Sequence, residues 1–331
     1  QMLRWVAAGE IPVLVGTHAL IQSKVKWKSL ALAVIDEQHR FGTAQRGALV
    51  QKSTIAPHVL SMTATPIPRT LALPLFGDLD LSVIDSMPPG RKPIITEIVP
   101  QDKRNVTEEK IRQALQEGRQ VYIICPRIDE PDPEKEMAIQ AKSVKEEAKR
   151  LKERVFPDCR IAILHSKMKP PEKQKVMDEF LKGSIDVLVA TSVVEVGVNV
   201  PNATIIVIEG AERFGLAQIH QLRGRVLRGT HQAYCYLYAD AKSEKTQERL
   251  RAVVEAKNGF ELAERDLAQR GSGGIAGEKQ WGISDIGMEA IRNIKMVEAA
   301  RNEAEHLLTK DPLLVHHPLL ASYTEKHIHL E

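Results

Sequence analysis

Cysteine is scarce in this chain of 331 residues, which carries only Cys125, Cys159 and Cys235. They lie far apart and form no CxxC pair, which speaks against a disulfide framework or a zinc site and suits a reducing, cytoplasmic compartment. Aromatic residues make up 4%, too few for the platform on which single-strand-binding proteins stack successive bases. Neither sign of charge dominates: 46 Lys+Arg stand against 43 Asp+Glu, a formal charge of +3. The strongly basic signature of an architectural DNA-binding protein is therefore missing, although local basic grooves are allowed. Apolar runs are short. LALAVI, Leu30 to Ile35, falls far below the roughly 20 residues of a membrane helix. No basic, apolar, small-residue leader opens the chain, and no repeat with a period of about 20–50 residues is evident.

What is present is a globular composition, 43% hydrophobic and 27% charged, at a length that predicts two domains with a smaller appendage. Residues 11–35 read as short apolar strands, IPVLVGTHALI and then SLALAVIDE. The run LALAVI has the uninterrupted apolar character of a strand covered by helices on both faces. A further strand is expected over His58 to Met62, followed by the breaker-rich TATPIP. SMPPGRKPI, residues 86–94, has the proline and glycine content of a linker. Beyond it, helical patterns at 106–117 and 138–154 alternate with the strands VYIIC (121–125), RIAILH (160–165), DVLVAT (186–191) and TIIVIEG (204–210). Alternation of this kind predicts a parallel sheet covered by helices, an α/β fold. From about residue 243 only helical patterns remain, flanking the glycine-rich RGSGGIAGEKQWG of residues 270–282.

Chemistry is carried first by Asp36 and Glu37, at the carboxyl end of LALAVI. Ligands of open parallel sheets bind outside the carboxyl ends of strands. Adjacent acids there form a Walker B arrangement, in which one carboxylate holds Mg²⁺ and the other orients an attacking water. A solvated turn after a strand gives the same local pattern. In the second half, QLRGRVLRG (221–229) gathers Arg223, Arg225 and Arg228. Arginines so spaced suit a γ-phosphate, whose transition-state charge they stabilise, and equally a solvated basic helix face. His165, Ser166 and Lys167 follow a strand as a basic loop.

Taken together these segments resemble the superfamily 2 helicases of the DExH type. Asp36-Glu37-Gln38-His39 is similar to motif II, Thr63-Ala64-Thr65 to motif III and the segment from Val189 through Gly197 to motif V. QLRGRVLRG is similar to motif VI, and His165 to Lys169 to motif IVa, which touches nucleic-acid phosphates. Longer stretches resemble the RecG family: VGTHALIQ (15–22), AVIDEQHRFG (33–42), SMTATPIPRTLA (61–72), FGDLDLSVID (76–85), PPGRKPI (88–94), residues 195–226 and ERDLAQRGSGGIAGEKQWG (264–282). DEQHR and FGDLDLSVID favour this family over the related transcription-repair coupling translocases.

The resemblance implies two RecA-like parallel-sheet motor domains, the first truncated: residues 1–88 with motifs II and III, and residues 94–240 with motifs IV to VI. A helical segment, 241–331, would hold a translocation loop between about Gly259 and Gly282. It implies ATP and Mg²⁺ as cofactors, with Asp36 on the metal, Glu37 on the water and Arg225 with Arg228 facing the phosphate. His39, Thr63, Thr65, Gly197, Asn199 and Gln221 would sense the nucleotide and relay its state. Thr17, His165, Lys167, Arg270 and Gln280 would contact or drive DNA. The implied partner is branched duplex DNA, replication forks and Holliday junctions, gripped through its phosphates by a bacterial, nucleoid-associated monomer without a membrane.

Four departures qualify this picture. No GxxxxGK[ST] phosphate loop occurs, so the chain is expected to be the later part of a longer protein and to hydrolyse no ATP by itself. Asn199 stands where the family pattern has aspartate, and Leu227 replaces a glycine between Arg225 and Arg228. Ser272, Gly274, Glu278 and Lys279 depart from the usual translocation loop. A duplex translocase of the coupling type, or a degenerate DNA-binding motor, are the rival readings. The exposed face of a truncated first sheet also predicts self-association.

Overall fold

A computed structural model of the chain describes residues 1–22, 24–37, 57–63, 88–126, 143–191, 200–226, 231–240, 243–256, 258–265 and 294–326, together with 80, 82–84 and 86. The chain divides into two compact units. Residues 1–66, 73–78 and 283–331 form the first, and residues 67–72 with 79–282 the second.

The first unit opens with helix α1, Met2–Ala8, closed by Gly9 in the left-handed region at φ 78°, a backbone geometry that glycine adopts without a Cβ penalty. Residues 11–17, expected as strand, form none; instead the Thr17 hydroxyl accepts the Ala19 N–H and starts a 3-10 turn, His18–Ile21. A strand exists only where a neighbour completes its ladder, and among the described residues none pairs with this segment. Strands β1, Leu32–Ile35, and β2, His58–Ser61, do pair, in parallel, with Leu32 opposite His58 and Ile35 opposite Ser61. The expectation of a strand covered on both faces is corrected here. Leu32, Val34 and Leu60 share one face and are 56%, 54% and 50% exposed, whereas Ile35, on the other face, is buried.

The second unit is built on a six-stranded sheet. Its strands are β3 (Ile95–Val99), β4 (Gln120–Cys125), β5 (Ile161–Leu164), β6 (Val187–Thr191), β7 (Ala203–Glu209) and β8 (Tyr234–Tyr238). Their spatial order is β3-β8-β7-β4-β6-β5, every pairing parallel. Parallel neighbours need crossovers, and helices α2 (Arg104–Gln116), α3 (Pro170–Leu181) and α4 (Leu216–Arg223) supply three of them. A fourth is the helix of residues 143–150 continued by a π turn, Leu151–Val155.

Central β4 and β6 are buried throughout, and alternate residues serve two cores. Tyr122, Ile124, Leu188 and Ile206 meet Met177, Phe180, Leu216 and Ile219 on one side. Val121, Ile123, Val189 and Val207 meet Ile111, Val144 and Leu151 on the other. Burying a side chain of this size contributes about 1.5–3 kcal/mol, so double coverage explains why these strands read as unbroken apolar runs. Buried Gln120 at the start of β4 donates from Nε2 to the carbonyls of Phe180 (2.6 Å) and Ile185 (2.7 Å). It thereby ties the end of α3 to the sheet. Helix α5, Glu244–Glu255, is capped by the Ser243 hydroxyl. Helices α6, Ile294–Lys310, and α7, Pro318–Lys326, follow, and no strand occurs beyond β8 among the described residues.

Candidate active site and nucleic-acid interface

Asp36 and Glu37 leave the sheet at the carboxyl end of β1. The Glu37 N–H donates to Asp36 Oδ1 at 2.9 Å, and Glu37 holds φ at 52°. Non-glycine residues in this region carry strain of order 1–3 kcal/mol and cluster at functional sites. The Met62 N–H donates to the Ile35 carbonyl at 2.8 Å, extending the ladder past β2. Continuing that register sets Asp36 beside Met62 and Glu37 beside Thr63. Parallel pairing thus brings the two segments together at one sheet edge, although 25 residues separate Glu37 from Met62 in sequence. Asp36 is exposed there. Its hard oxygen donors fit Mg²⁺, which is held by one or two carboxylates with water and phosphate oxygens. Among the described residues no group of three or more His, Cys, Asp or Glu is arranged to hold a metal without such help.

Thr17 is exposed and its hydroxyl caps the following turn by accepting the Ala19 N–H at 3.4 Å. In the second unit, buried His165 follows β5, and exposed Lys167 lies two residues on. Burial first, then the charges of Lys145, Lys173 and Lys167, hold the His165 imidazole below the usual histidine range. His165 Nδ1 and Ser166 Oγ are buried with no hydrogen-bond partner, while Lys173 Nζ donates to the Ser166 carbonyl at 3.2 Å. These groups border the N-terminus of α3, whose macrodipole favours anions; Pro170 and Pro171 carry no N–H there, and those of Glu172 and Lys173 donate to the Lys169 carbonyl. The arrangement suits phosphate contacts, which position a nucleic acid without reading its sequence.

Gln221 is exposed on α4 and Arg225 lies in the turn just after it, with the Arg225 N–H donating to the Leu222 carbonyl at 3.0 Å. Between them Arg223 turns inward. Its Nη1 donates to the Val253 carbonyl of α5 at 2.8 Å, and burial lowers its pKa. It caps a carbonyl in the last turn of α5, a favourable place for a cation. His39, Thr65, Gly197, Asn199, Arg228, Arg270 and Gln280 lie outside the described residues.

Sequence reasoning passed over Glu209 at the end of β7. Its Oε2 lies 3.2 Å from Arg104 Nη1, and the Arg104 guanidinium sits 4.6 Å above the centre of the Tyr238 ring. A lone glutamate closing an apolar strand carries no motif; only its position at a sheet's carboxyl edge marks it.

Paired acids at a strand's carboxyl edge and arginines at a helix end are parts of helicase motors, and two family models place the chain in that class. The DEAD/DEAH box helicase family matches residues 1–73, and the helicase conserved C-terminal domain matches residues 103–230. Within that class the chain is 48% identical over 314 residues to the ATP-dependent DNA helicase RecG of Synechocystis sp., covering 95% of this chain and 37% of that protein. To RecG of Bacillus subtilis it is 48% identical, covering 94% and 45%. The solved structure of RecG bound to a three-way DNA junction superposes with a TM-score of 0.68 at 42% identity, over 90% of this chain and 37% of that one. The chain belongs to the RecG family, with RecA-like parallel-sheet architecture. It spans less than half the length of these relatives.

Proposed function

We propose that this chain is the motor portion of an ATP-dependent DNA helicase that remodels branched DNA, replication forks and Holliday junctions among them, in bacterial recombination and repair. Its 48% identity over nearly the whole chain to proteins named ATP-dependent DNA helicase carries this reading. The β1–β2 register supports it, since its continuation sets Asp36 beside Met62 and Glu37 beside Thr63.

In this reading Asp36 holds Mg²⁺ and Glu37 orients the attacking water. Arg225 and Arg228 stabilise charge developing on the phosphate, a contribution that in related enzymes reaches about 10³–10⁵ in rate. Bound Mg²⁺ would supply neutralisation of phosphate charge. His39, Thr63, Thr65, Gly197, Asn199 and Gln221 sense the nucleotide and relay its state. Thr17, His165 and Lys167 meet DNA through phosphates, and Arg270 with Gln280 serve translocation.

The test is ATP turnover with forked DNA, measured on the longer protein that contains this chain and on residues 1–331 alone. Turnover stimulated by forks, lowered about 100-fold or more by Glu37→Gln with DNA binding retained, is the expected result. The chain alone is expected to be inactive, because it contains no lysine-bearing phosphate loop. DNA binding by the longer protein without turnover would move the reading to a degenerate binding module.

A further inference from the structure

The last residues of four strands lie in one row of the six-stranded sheet. Cys125 pairs with Thr191, Glu209 pairs with Tyr238, and the β4–β7 register continues from Ile124–Ile208 to set Cys125 beside Glu209. By the two-residue alternation of strands, all four side chains point to the face covered by α2 and the 143–155 helix. Arg104, the first residue of α2, reaches Glu209 and stacks on Tyr238. Beside them Arg150 bridges Glu108 at 3.0 Å and Glu147 at 2.8 Å. Among the described residues three carboxylates thus share two guanidiniums in a half-buried layer, one negative charge in excess. Tyr238 Oη, Thr191 Oγ1 and Arg104 Nε are buried there without hydrogen-bond partners. A buried excess charge is costly and favours uptake of a proton.

Glu209 takes that proton most readily. Burial raises its pKa to about 7; Arg104 and Arg150 oppose the rise, while Glu147 and Glu108 add to it. The thiol of Cys125 and the phenol of Tyr238 face the same carboxylate, and burial pushes both well above their ordinary values. Neither ionises near neutrality.

From Glu209 the chain runs to the Arg225 turn through a connector held at successive steps. Gly210 sits at φ 59° and caps a 3-10 turn, Ala211–Arg213, with the Arg213 N–H donating to the Gly210 carbonyl at 2.9 Å. Arg249 donates to the Glu212 carbonyl. The Gly215 N–H donates to Gln218 Oε1 at 3.1 Å, which starts α4. A displacement at Glu209 therefore has few places to be absorbed before Gln221 and Arg225.

We propose that Glu209 is a positioning residue of the motor: its carboxylate, clamped by Arg104 over Tyr238, fixes the connector into α4, and protonation releases that clamp. The inference rests on the reading of this chain as an ATP-driven motor. It is tested on the longer protein by following kcat and KM for DNA-stimulated ATP hydrolysis from about pH 5.5 to 8.5, a range spanning the ordinary and raised carboxyl values. In the unmodified protein kcat should rise with pH, with a midpoint near 7. Glu209→Gln should abolish that limb and lower kcat several-fold with KM unchanged, and Glu209→Asp should restore it. Arg104→Met should move the limb to higher pH, since the carboxylate loses its cation. A limb that survives Glu209→Gln, or stays in place in Arg104→Met, overturns the proposal. An unmodified protein without turnover at any pH overturns the motor reading instead.

A melting comparison separates folding from function. A carboxyl with a raised native pKa binds its proton better when folded, so the stability it confers is present at low pH and lost as pH rises through about 7. The Tm of the unmodified protein should therefore fall relative to Glu209→Gln between about pH 5 and 8. Parallel curves would show that Glu209 does not titrate there, and the proposal fails.

Discussion

Glu37 and Gly210 both hold positive φ, at 52° and 59°, each at the carboxyl end of a strand that leads to a motor segment. For glycine the conformation is unstrained, and a Cβ at position 210 would lie 3.3 Å from Pro126 Cγ. Gly210→Ala is expected to cost roughly 1–2 kcal/mol from the left-handed backbone alone, read as a lowered Tm. It should also slow turnover, because the same turn feeds α4. The pair Asp36–Glu37 was legible in the sequence because an apolar strand ending in acids is a pattern with few readings. Glu209 was not: its importance comes from Arg104 and Tyr238, which pairing across the sheet brings to it from distant parts of the chain. The inward turn of Arg223 was equally hidden, since three arginines in nine residues do not declare which one is buried.

Among the elements, β4, β6 and β7 could be read from apolar runs because both faces of a central parallel sheet are dry; β5, at the other edge, reads as an apolar run although it is mostly half-buried. Strand β8 escaped notice although Ala233 to Ala239 is apolar throughout; Tyr234, Tyr236 and Tyr238 give it a less aliphatic look. Strand β3, at the sheet edge, has a polar, partly exposed pattern and follows a proline-rich stretch. The strand expected over residues 11–21 failed for the converse reason, apolar composition without a ladder partner. The His165–Lys173 segment yields a prediction at this scale. Lys167→Ala is expected to weaken DNA binding about equally across sequences and to reduce the salt slope by about 1. Lys175, on helix α3 and 3.9 Å from Glu179, provides the comparison: Lys175→Ala should leave the slope unchanged. A salt titration of binding by fluorescence anisotropy checks both.

At the scale of the molecule, the two units differ in how well they cover their sheets. The first leaves Leu32, Val34 and Leu60 open on one face, with Val13 and Val15 also exposed. Apolar patches of this kind mark association surfaces or aggregation liabilities. Residues 1–331 alone are therefore expected to self-associate with rising concentration in sedimentation velocity, and Val34→Lys should reduce the effect. A concentration-independent monomer would contradict this. That residues 283–331 group with the first unit was not legible, because a helical period identifies a helix without saying which sheet it joins.

The strand order of the second unit also governs when it can form. Among the described strands β3, at the edge, is hydrogen-bonded to β8 alone, and Gln232 Nε2 reaches back to the Pro93 carbonyl across 139 residues. A ribosome delivers β3 early and β8 last. The central strands β4, β6 and β7 can assemble while β3 still dangles, and that strand docks only after the tyrosine-rich β8 has emerged. Contacts of such long sequence separation are slow to close, so this late-closing edge is where a growing chain stays longest open to wrong partners.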